Sequence, residues 1–168
     1  MGARPFAMPF REMNDRSESL AQLTLRSRLS EMAQLPPWIE GLTSRHGIPS
    51  NVQFGIELCL EEVVSNVIRH GYAGAEDRSV VVRFVMPRDS YFAFVVEDEA
   101  PQFNPLDAPD LKAIDPEDDA RIGGQGIRLL REFANTVEYE RTPTGNRLRI
   151  GFSSAGKSET SPESRNNR

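Results

Sequence analysis

The chain has 168 residues, of which 38% are hydrophobic, 27% charged and 8% aromatic, and this length fits one domain with a full hydrophobic core. The formal net charge of -5 argues against nonspecific nucleic-acid binding, because phosphate backbones are bound mainly by an excess of basic side chains. A single cysteine, Cys59, excludes an intrachain disulfide and a cysteine-based metal site.

Both ends of the chain are predicted to be tails. Residues 1–17 mix proline, charge and scattered aromatics without periodicity, and residues 153–168 carry no large apolar side chain. No repeat or low-complexity linker interrupts residues 18–152, which we expect to form one domain. No segment reaches the ~20 apolar residues of a membrane span, and the N-terminus lacks an apolar signal core. We therefore expect a cytoplasmic protein.

The first predicted elements are a strand and a helix. Imperfect alternation over Ser19–Leu25 predicts an opening strand. From Arg28 to His46 the apolar residues recur three and four positions apart, which is helical spacing. Pro36 and Pro37 are expected to break or kink that helix midway.

The second helix is predicted from about Asn51 to His70, with Ser50 or Asn51 as its cap. Its apolar stripe has a period near 3.6 residues and consists of Ile56, Cys59, Leu60, Val63, Val64 and Val67. Cys59 is interpreted as a small buried hydrophobe of this stripe.

The rest of the chain predicts four strands and one more helix. Residues 79–86 and 91–97 are β-branched and aromatic runs separated by PRDS, which indicates an antiparallel hairpin. A polar loop rich in Pro and Asp runs from Asp98 to Ile122, and GGQG then precedes an apolar-periodic helix. Residues 136–140 and 147–152, joined by a TPTGN turn, are predicted to be the last two strands.

A polar row follows one margin of the apolar stripe on the second helix. Glu62, Asn66 and His70 are spaced i, i+4 and i+8, so they lie along one edge of the helix. Such a row is found at the boundary between core and solvent of any amphipathic helix, or it marks a site. The helix by itself does not separate these alternatives.

Two other segments carry chemistry that fits a nucleotide. The GGQG turn, Gly123 to Gly126, allows backbone N–H groups to surround an anion beside a helix N-terminus, although it is also a plausible hinge. Asp98 ends an apolar strand in VEDEAPQFNP, where a carboxylate accepts a hydrogen bond from an exocyclic amine and Phe103 offers apolar surface. By itself, Asp98 is better interpreted as a turn acid.

Together, in this order and spacing, the three segments resemble the Bergerat-fold (GHKL) ATPases over roughly Leu20 to Phe152. EEVVSNVIRHGY is similar to the N-box, VEDEAPQFNP to the adenine-binding segment, and GGQGIRLLREFANTVEYERTPTGNRL to the glycine box with its following helix and strands. The HGY ending, PQFNP and the short GGQG box resemble the anti-sigma factor serine kinase branch. The resemblance implies an α+β fold, a two-layer sandwich whose mostly antiparallel sheet is covered by helices on one face.

The same resemblance implies roles for individual residues. Asn66 supplies an oxygen to Mg²⁺, Glu62 acts as the general base, and Asp98 binds the adenine of ATP. The loop from about Asp107 to Ile122 forms a lid. The further cofactor contacts that it implies are His70, Ala100, Phe103, Gly123, Gly124, Gln125, Gly126 and Ile127. For His70, a structural hydrogen bond at the helix end is favoured over a contact with the nucleotide. Ala100 stands where the family pattern has glycine, so its methyl group is expected to crowd the base or to restrict the backbone, and either would weaken nucleotide binding.

The implied function is a serine/threonine protein kinase that phosphorylates a STAS-type anti-sigma factor antagonist and also binds a sigma factor. Homodimerisation is carried over from the same resemblance. The alternative is a noncatalytic module in which nucleotide sets the shape of a protein-binding surface. The catalytic domain of a histidine kinase fits poorly, because the chain has no separate dimerisation and phosphoacceptor helices. The HRD and DFG segments of eukaryotic-type kinases are also missing.

Overall fold

The computed structural model describes residues 19–107 and 125–155. These residues form five strands and three α-helices: β1 (Ser19–Arg26), α1 (Leu35–His46), α2 (Ser50–Asn66), β2 (Ser79–Arg88), β3 (Tyr91–Asp98), α3 (Gln125–Phe133), β4 (Thr136–Arg141) and β5 (Asn146–Ser153). The strands form one sheet in the order β1-β2-β3-β5-β4, and every neighbouring pair is antiparallel. The five predicted strands are confirmed.

The helices cover one face of this sheet. A single buried cluster contains alternate residues of β3 together with the inner residues of α2: Phe92, Phe94, Val96, Ile56, Cys59 and Leu60. Because side chains alternate along a strand, Ala93 and Val95 face the other way and form a small separate cluster with Val85. The predicted α+β sandwich is confirmed, and the apolar stripe of α2 is its inner face.

The first helix begins later than predicted. A 3₁₀ turn, Leu29–Gln34, precedes α1, and Pro36 and Pro37 lie in the first turn of α1. Proline is tolerated there because the first N–H groups of a helix have no partner within the helix. The two prolines therefore start a helix at Leu35 and do not kink one that runs from Arg28.

The predicted cap of α2 is wrong. Pro49 occupies the cap position, and its carbonyl oxygen accepts hydrogen bonds from the N–H groups of Val52 and Gln53, so neither Ser50 nor Asn51 is used. The α-helix ends at Asn66 and continues as a π-helical turn, Val67–Gly71. This turn changes which side chains reach the margin of the helix, and such turns are frequent at functional sites.

Several predictions fall outside the described residues. They are the two predicted tails, apart from residues 153–155, the lid after Asp107, and the first two glycines of the GGQG turn, Gly123 and Gly124. Of the long loop, the part after Asp98 is described up to a short 3₁₀ turn, Pro105–Asp107. Over the described ranges, no helix combines the length and hydropathy that crossing a membrane requires.

Candidate functional site

A cavity of about 570 Å³ lies between α2, the first turn of α3 and the ends of β3 and β5. Eight residues predicted from the sequence line it: Glu62, Asn66, His70, Asp98, Ala100, Phe103, Gly126 and Ile127. Three segments that are far apart in the chain therefore meet around one space. Of the other predicted contacts, Gln125 is the first residue of α3, and Gly123 and Gly124 precede the part that the structure describes.

The polar row of α2 faces this cavity. The side-chain amide of Asn66 donates a hydrogen bond of 2.9 Å to Oε1 of Glu62, and both residues are half-buried. His70 lies in the π-helical turn, where it is exposed at the rim of the cavity. Its imidazole makes no hydrogen bond to another described residue, so the structural hydrogen bond considered from the sequence is not observed there.

Gly126 brings the first turn of α3 against Glu62. A Cβ at Gly126 would lie 2.5 Å from Cγ and 2.7 Å from Oε1 of Glu62, so any side chain there would displace the carboxylate. The N-terminal N–H groups of a helix lack partners within the helix and attract anions. The close approach therefore sets a carboxylate beside a helix end that suits phosphate.

The polar groups at this end of the cavity suit a magnesium ion that is carried in with phosphates. Over residues 19–107 and 125–155, no three His, Cys, Asp or Glu side chains cluster as metal ligands. Mg²⁺ keeps several waters and commonly takes only one or two protein oxygens together with those of a substrate phosphate. The amide oxygen of Asn66 beside Glu62 fits that requirement.

Asp98, the last residue of β3, also lines the cavity. Its Oδ1 accepts hydrogen bonds of 2.8 Å from the backbone N–H of Ala100 and from Nδ2 of Asn146. Burial raises the pKa of Asp98, although these two hydrogen bonds and the charge of Arg141 oppose the rise. Within the described residues Oδ2 accepts no hydrogen bond, so one carboxylate oxygen remains for an exocyclic amine.

The neighbouring acid, Glu97, serves a different purpose. Strand alternation turns Glu97 to the opposite face of the sheet, where its carboxylate pairs with Arg83 at 3.0 Å and Arg147 at 2.6 Å. Burial alone would raise the pKa of Glu97, but the two arginines outweigh it and hold the pKa below its ordinary value. Two adjacent acids in VEDEAP thus have opposite surroundings, and only Asp98 reaches the cavity.

Ala100 fits its position without strain. Its side chain is buried, and its backbone does not have the positive φ that would favour glycine. The methyl group lies against Gly71, where a second Cβ would come within 2.9 Å of it. The small residue at Gly71 therefore makes room for Ala100, although the crowding expected from the sequence concerns the nucleotide and stays a prediction.

Sequence reasoning missed the residues that surround Asp98 from β4 and β5. Asn146, Tyr139 and Leu148 also line the cavity, and Gly145 passes directly beneath Asp98. A signal was present in the pattern of β5, because Asn146, Leu148 and Ile150 are two residues apart and all three are buried. Because Asn146 is on the same face of β5 as core residues, it must be buried and must have hydrogen-bond partners. The turn sequence TPTGN does not show which residues these partners are.

Gly145→Ala is expected to destabilise the protein, because a Cβ there would lie 1.7 Å from the backbone oxygen of Asp98. Only a backbone shift relieves this contact, so we expect a loss at or above the ~1–3 kcal/mol of ordinary overpacking, measured by chemical denaturation. Gly41→Ala in α1 is the matched control, since nothing lies within 4 Å of a Cβ there and alanine is favoured by about 0.5–1 kcal/mol in a helix. Equal stability of Gly145→Ala and the wild type would contradict the close approach.

The sequence is similar to those of known proteins. The sequence profile of the histidine kinase-like ATPase domain matches residues 25–152. Serine/threonine-protein kinase BtrW of Bordetella bronchiseptica is 25% identical over 121 residues, which cover 72% of this chain and 84% of that protein. An anti-sigma F factor of Priestia megaterium is 24% identical over 126 residues, which cover 75% of this chain and 76% of that protein.

Two solved structures are similar at the level of the chain trace. They are the histidine kinase domain of the Erythrobacter litoralis EL346 blue-light activated histidine kinase (TM-score 0.48, 15% identity, 77% of this chain) and a second structure of that kinase (TM-score 0.48, 14% identity, 73% of this chain). The chain spans 62% of the first structure and 40% of the second.

Proposed function

Because this chain belongs to the family of histidine kinase-like ATPase domains, we propose that it is a serine/threonine protein kinase of the anti-sigma factor type. It transfers the γ-phosphoryl group of ATP to a STAS-type anti-sigma factor antagonist, and it also binds a sigma factor in competition with that antagonist. Membership of the family implies ATP binding. The names of the relatives, a serine/threonine-protein kinase and an anti-sigma F factor, support the kinase activity and the sigma-factor partner. The STAS-type antagonist is proposed from the resemblance of the sequence motifs. We place this activity in the cytoplasm, in a homodimer.

The observation that carries the proposal is the convergence of three segments on one cavity. At one end, Oδ2 of Asp98 accepts a hydrogen bond from the exocyclic amine of adenine, and Phe103 offers apolar surface to the base. At the other end, the first turn of α3 receives the phosphates beside Glu62 and Asn66. We therefore assign the base of ATP to Asp98 and its triphosphate to the start of α3, which line the same cavity.

We assign to Glu62 the role of general base in phosphoryl transfer. A serine or threonine hydroxyl of the antagonist attacks the γ-phosphorus while its proton moves to the Glu62 carboxylate. The new bond joins that hydroxyl oxygen to phosphorus, and the bond from phosphorus to the β–γ bridging oxygen breaks, which releases ADP. Mg²⁺, when bound through Asn66 and the phosphates, neutralises charge on the phosphate oxygens.

Calorimetry with ATP and Mg²⁺ tests the nucleotide part of the proposal. We expect Asn66→Ala to lower the affinity for Mg²⁺–ATP about tenfold or more, the equivalent of ~1.4 kcal/mol, because the side chain supplies an oxygen to the cation. With the metal chelated, the two proteins are expected to differ much less. Asn51→Ala, an exposed asparagine in the first turn of α2, is the matched control. Negligible heats for both wild type and Asn66→Ala would remove the proposal.

A further inference from the structure

Asn146, the first residue of β5, is a buried asparagine with an unusually complete set of partners. Only 6% of its surface is exposed. Its Nδ2 donates to Asp98 Oδ1 at 2.8 Å, Pro101 O at 3.1 Å and Ala100 O at 3.3 Å, and its Oδ1 accepts from Tyr139 Oη at 2.7 Å, Phe103 N at 3.2 Å and Arg141 Nη1 at 3.2 Å.

These contacts use the whole hydrogen-bonding capacity of the side chain. An asparagine amide has two N–H donors and one carbonyl oxygen with two lone pairs, and the six contacts already share them. Although Asn146 lines the cavity, its side chain has no donor or acceptor left for a bound molecule. Its effect on a ligand must therefore pass through the groups that it holds.

Four of the six groups bonded to Asn146 belong to one segment, residues 98–103, which forms the wall of the cavity around Asp98. A second contact from β4 acts in the same direction, because Arg141 Nη1 donates to Ala100 O at 2.9 Å. From the other side, the Tyr72 hydroxyl accepts the N–H of Glu99 at 2.8 Å and donates to Ser79 O at 2.6 Å. The segment contains little regular structure of its own, so these side chains decide its shape.

We infer that Asn146 is a positioning residue for nucleotide binding: without contacting the nucleotide, it orients the Asp98 carboxylate and holds residues 100–103 in the shape that receives the base. The inference rests on the proposed function, because it assumes that Asp98 recognises an exocyclic amine. According to this inference, the β4–β5 hairpin contributes to base selection through the hydrogen bonds that Asn146 makes.

Base selection is measured by comparing ATP with purine riboside 5′-triphosphate, which lacks only the exocyclic amine. In the wild type, ATP is expected to bind about tenfold or more tightly, as one hydrogen bond to a charged acceptor supplies. In Asn146→Ala this ratio is expected to fall toward one, because Asp98 is no longer held. A role confined to stability would lower both affinities in proportion and leave the ratio unchanged, and that result overturns the inference.

Asn135→Ala is the matched control. Asn135 accepts a hydrogen bond from the backbone N–H of Ser153 at 2.8 Å, at the opposite end of β5, so its loss is expected to lower the melting temperature and keep the ratio. Asn146→Asp provides a second test in case the alanine variant does not fold, because aspartate keeps the shape of the side chain and its accepting oxygen. It replaces the N–H that faces Asp98 by a second carboxylate oxygen, and here too the ratio is expected to fall.

The outcomes separate this inference from the proposed function. A wild type that binds neither nucleotide removes the proposed function itself. A wild type that binds both nucleotides equally shows that Asp98 does not select the amine and overturns the inference. A wild type that prefers ATP, with the same preference in both Asn146 variants, leaves the proposed function in place and overturns the inference alone.

Discussion

Glu62→Gln is expected to lower the rate of phosphoryl transfer to the antagonist about 10²–10⁴-fold, the usual contribution of a positioned general base. Glutamine keeps the length of the side chain, and its carbonyl oxygen still accepts the hydrogen bond that Asn66 donates at 2.9 Å. What it lacks is the capacity to take the hydroxyl proton. The affinity for Mg²⁺–ATP is therefore expected to change little, so the effect falls on the turnover rate.

Single-turnover transfer of radiolabelled phosphate from ATP to the purified antagonist measures this effect. Glu61→Gln is the matched control, because Glu61 is adjacent, exposed and absent from the wall of the cavity, and it is expected to retain the wild-type rate. An unchanged rate in Glu62→Gln would show that another group accepts the proton. If the wild type binds ATP but transfers no phosphate, the noncatalytic nucleotide-responsive module becomes the better account.

Asp98→Asn is expected to weaken ATP binding about tenfold to a hundredfold, which corresponds to the ~1.5–3 kcal/mol of a hydrogen bond to a charged group. The carbonyl oxygen of the new amide can still accept from Ala100 and Asn146, as Oδ1 does now. The amide nitrogen then stands where Oδ2 was, and it presents a donor to the exocyclic amine. Loss of binding is thus expected without loss of the surrounding hydrogen bonds.

The stability of the nucleotide-free protein gives an independent readout of the same substitution. Burial raises the pKa of Asp98, so the protonated form of this carboxyl is favoured more in the folded protein than in the unfolded chain. The stability from this preference is fully present below the unfolded pKa of about 3.9 and is lost as pH rises through the folded pKa. Asp98→Asn removes that dependence, so at pH 7 the variant is expected to unfold at an equal or higher temperature than the wild type.

Thermal unfolding at several pH values, together with calorimetry, checks both parts. Asp89→Asn is the matched control, because Asp89 is exposed in the β2–β3 hairpin and does not line the cavity, so its substitution is expected to leave the ATP affinity unchanged. Wild-type affinity of Asp98→Asn for ATP would exclude recognition of the exocyclic amine by this carboxylate. A marked loss of stability at pH 7 would contradict the burial argument.

The sequence predicted well those parts of the site that lie on one regular element. Periodicity near 3.6 residues places the inner stripe of α2, and the same geometry puts Glu62 and Asn66 one turn apart on its margin. Alternation within β3 likewise separates Glu97 from Asp98 onto opposite faces. In each case the spacing along the chain defines the direction of the side chain, because the backbone of a helix or strand is regular.

Contacts between residues far apart in the chain could not be predicted from the sequence. The approach of Gly145 to the backbone oxygen of Asp98 joins residues 47 positions apart, and Gly126 approaches Glu62 across 64 positions. In the sequence, Gly145 reads only as a residue of a turn, and Gly126 reads as part of a phosphate-binding turn or a hinge, so neither close approach was predicted. The partners of Asn146 were hidden for the same reason, since four of the six lie in residues 98–103, on a segment with no periodicity of its own.

The sequence by itself determined the order of strands and helices, the inner faces of those elements and the polar row on α2, because each depends on backbone repeats that span only a few residues. Only the tertiary structure decided that α3 begins against Glu62 and that Asn146 of β5, with all its hydrogen-bonding groups in use, holds Asp98. Those features depend on where the antiparallel sheet brings distant segments together. Because the interior is closely packed, the space between these segments then determines how large a side chain can be at each position, and at some positions only glycine fits.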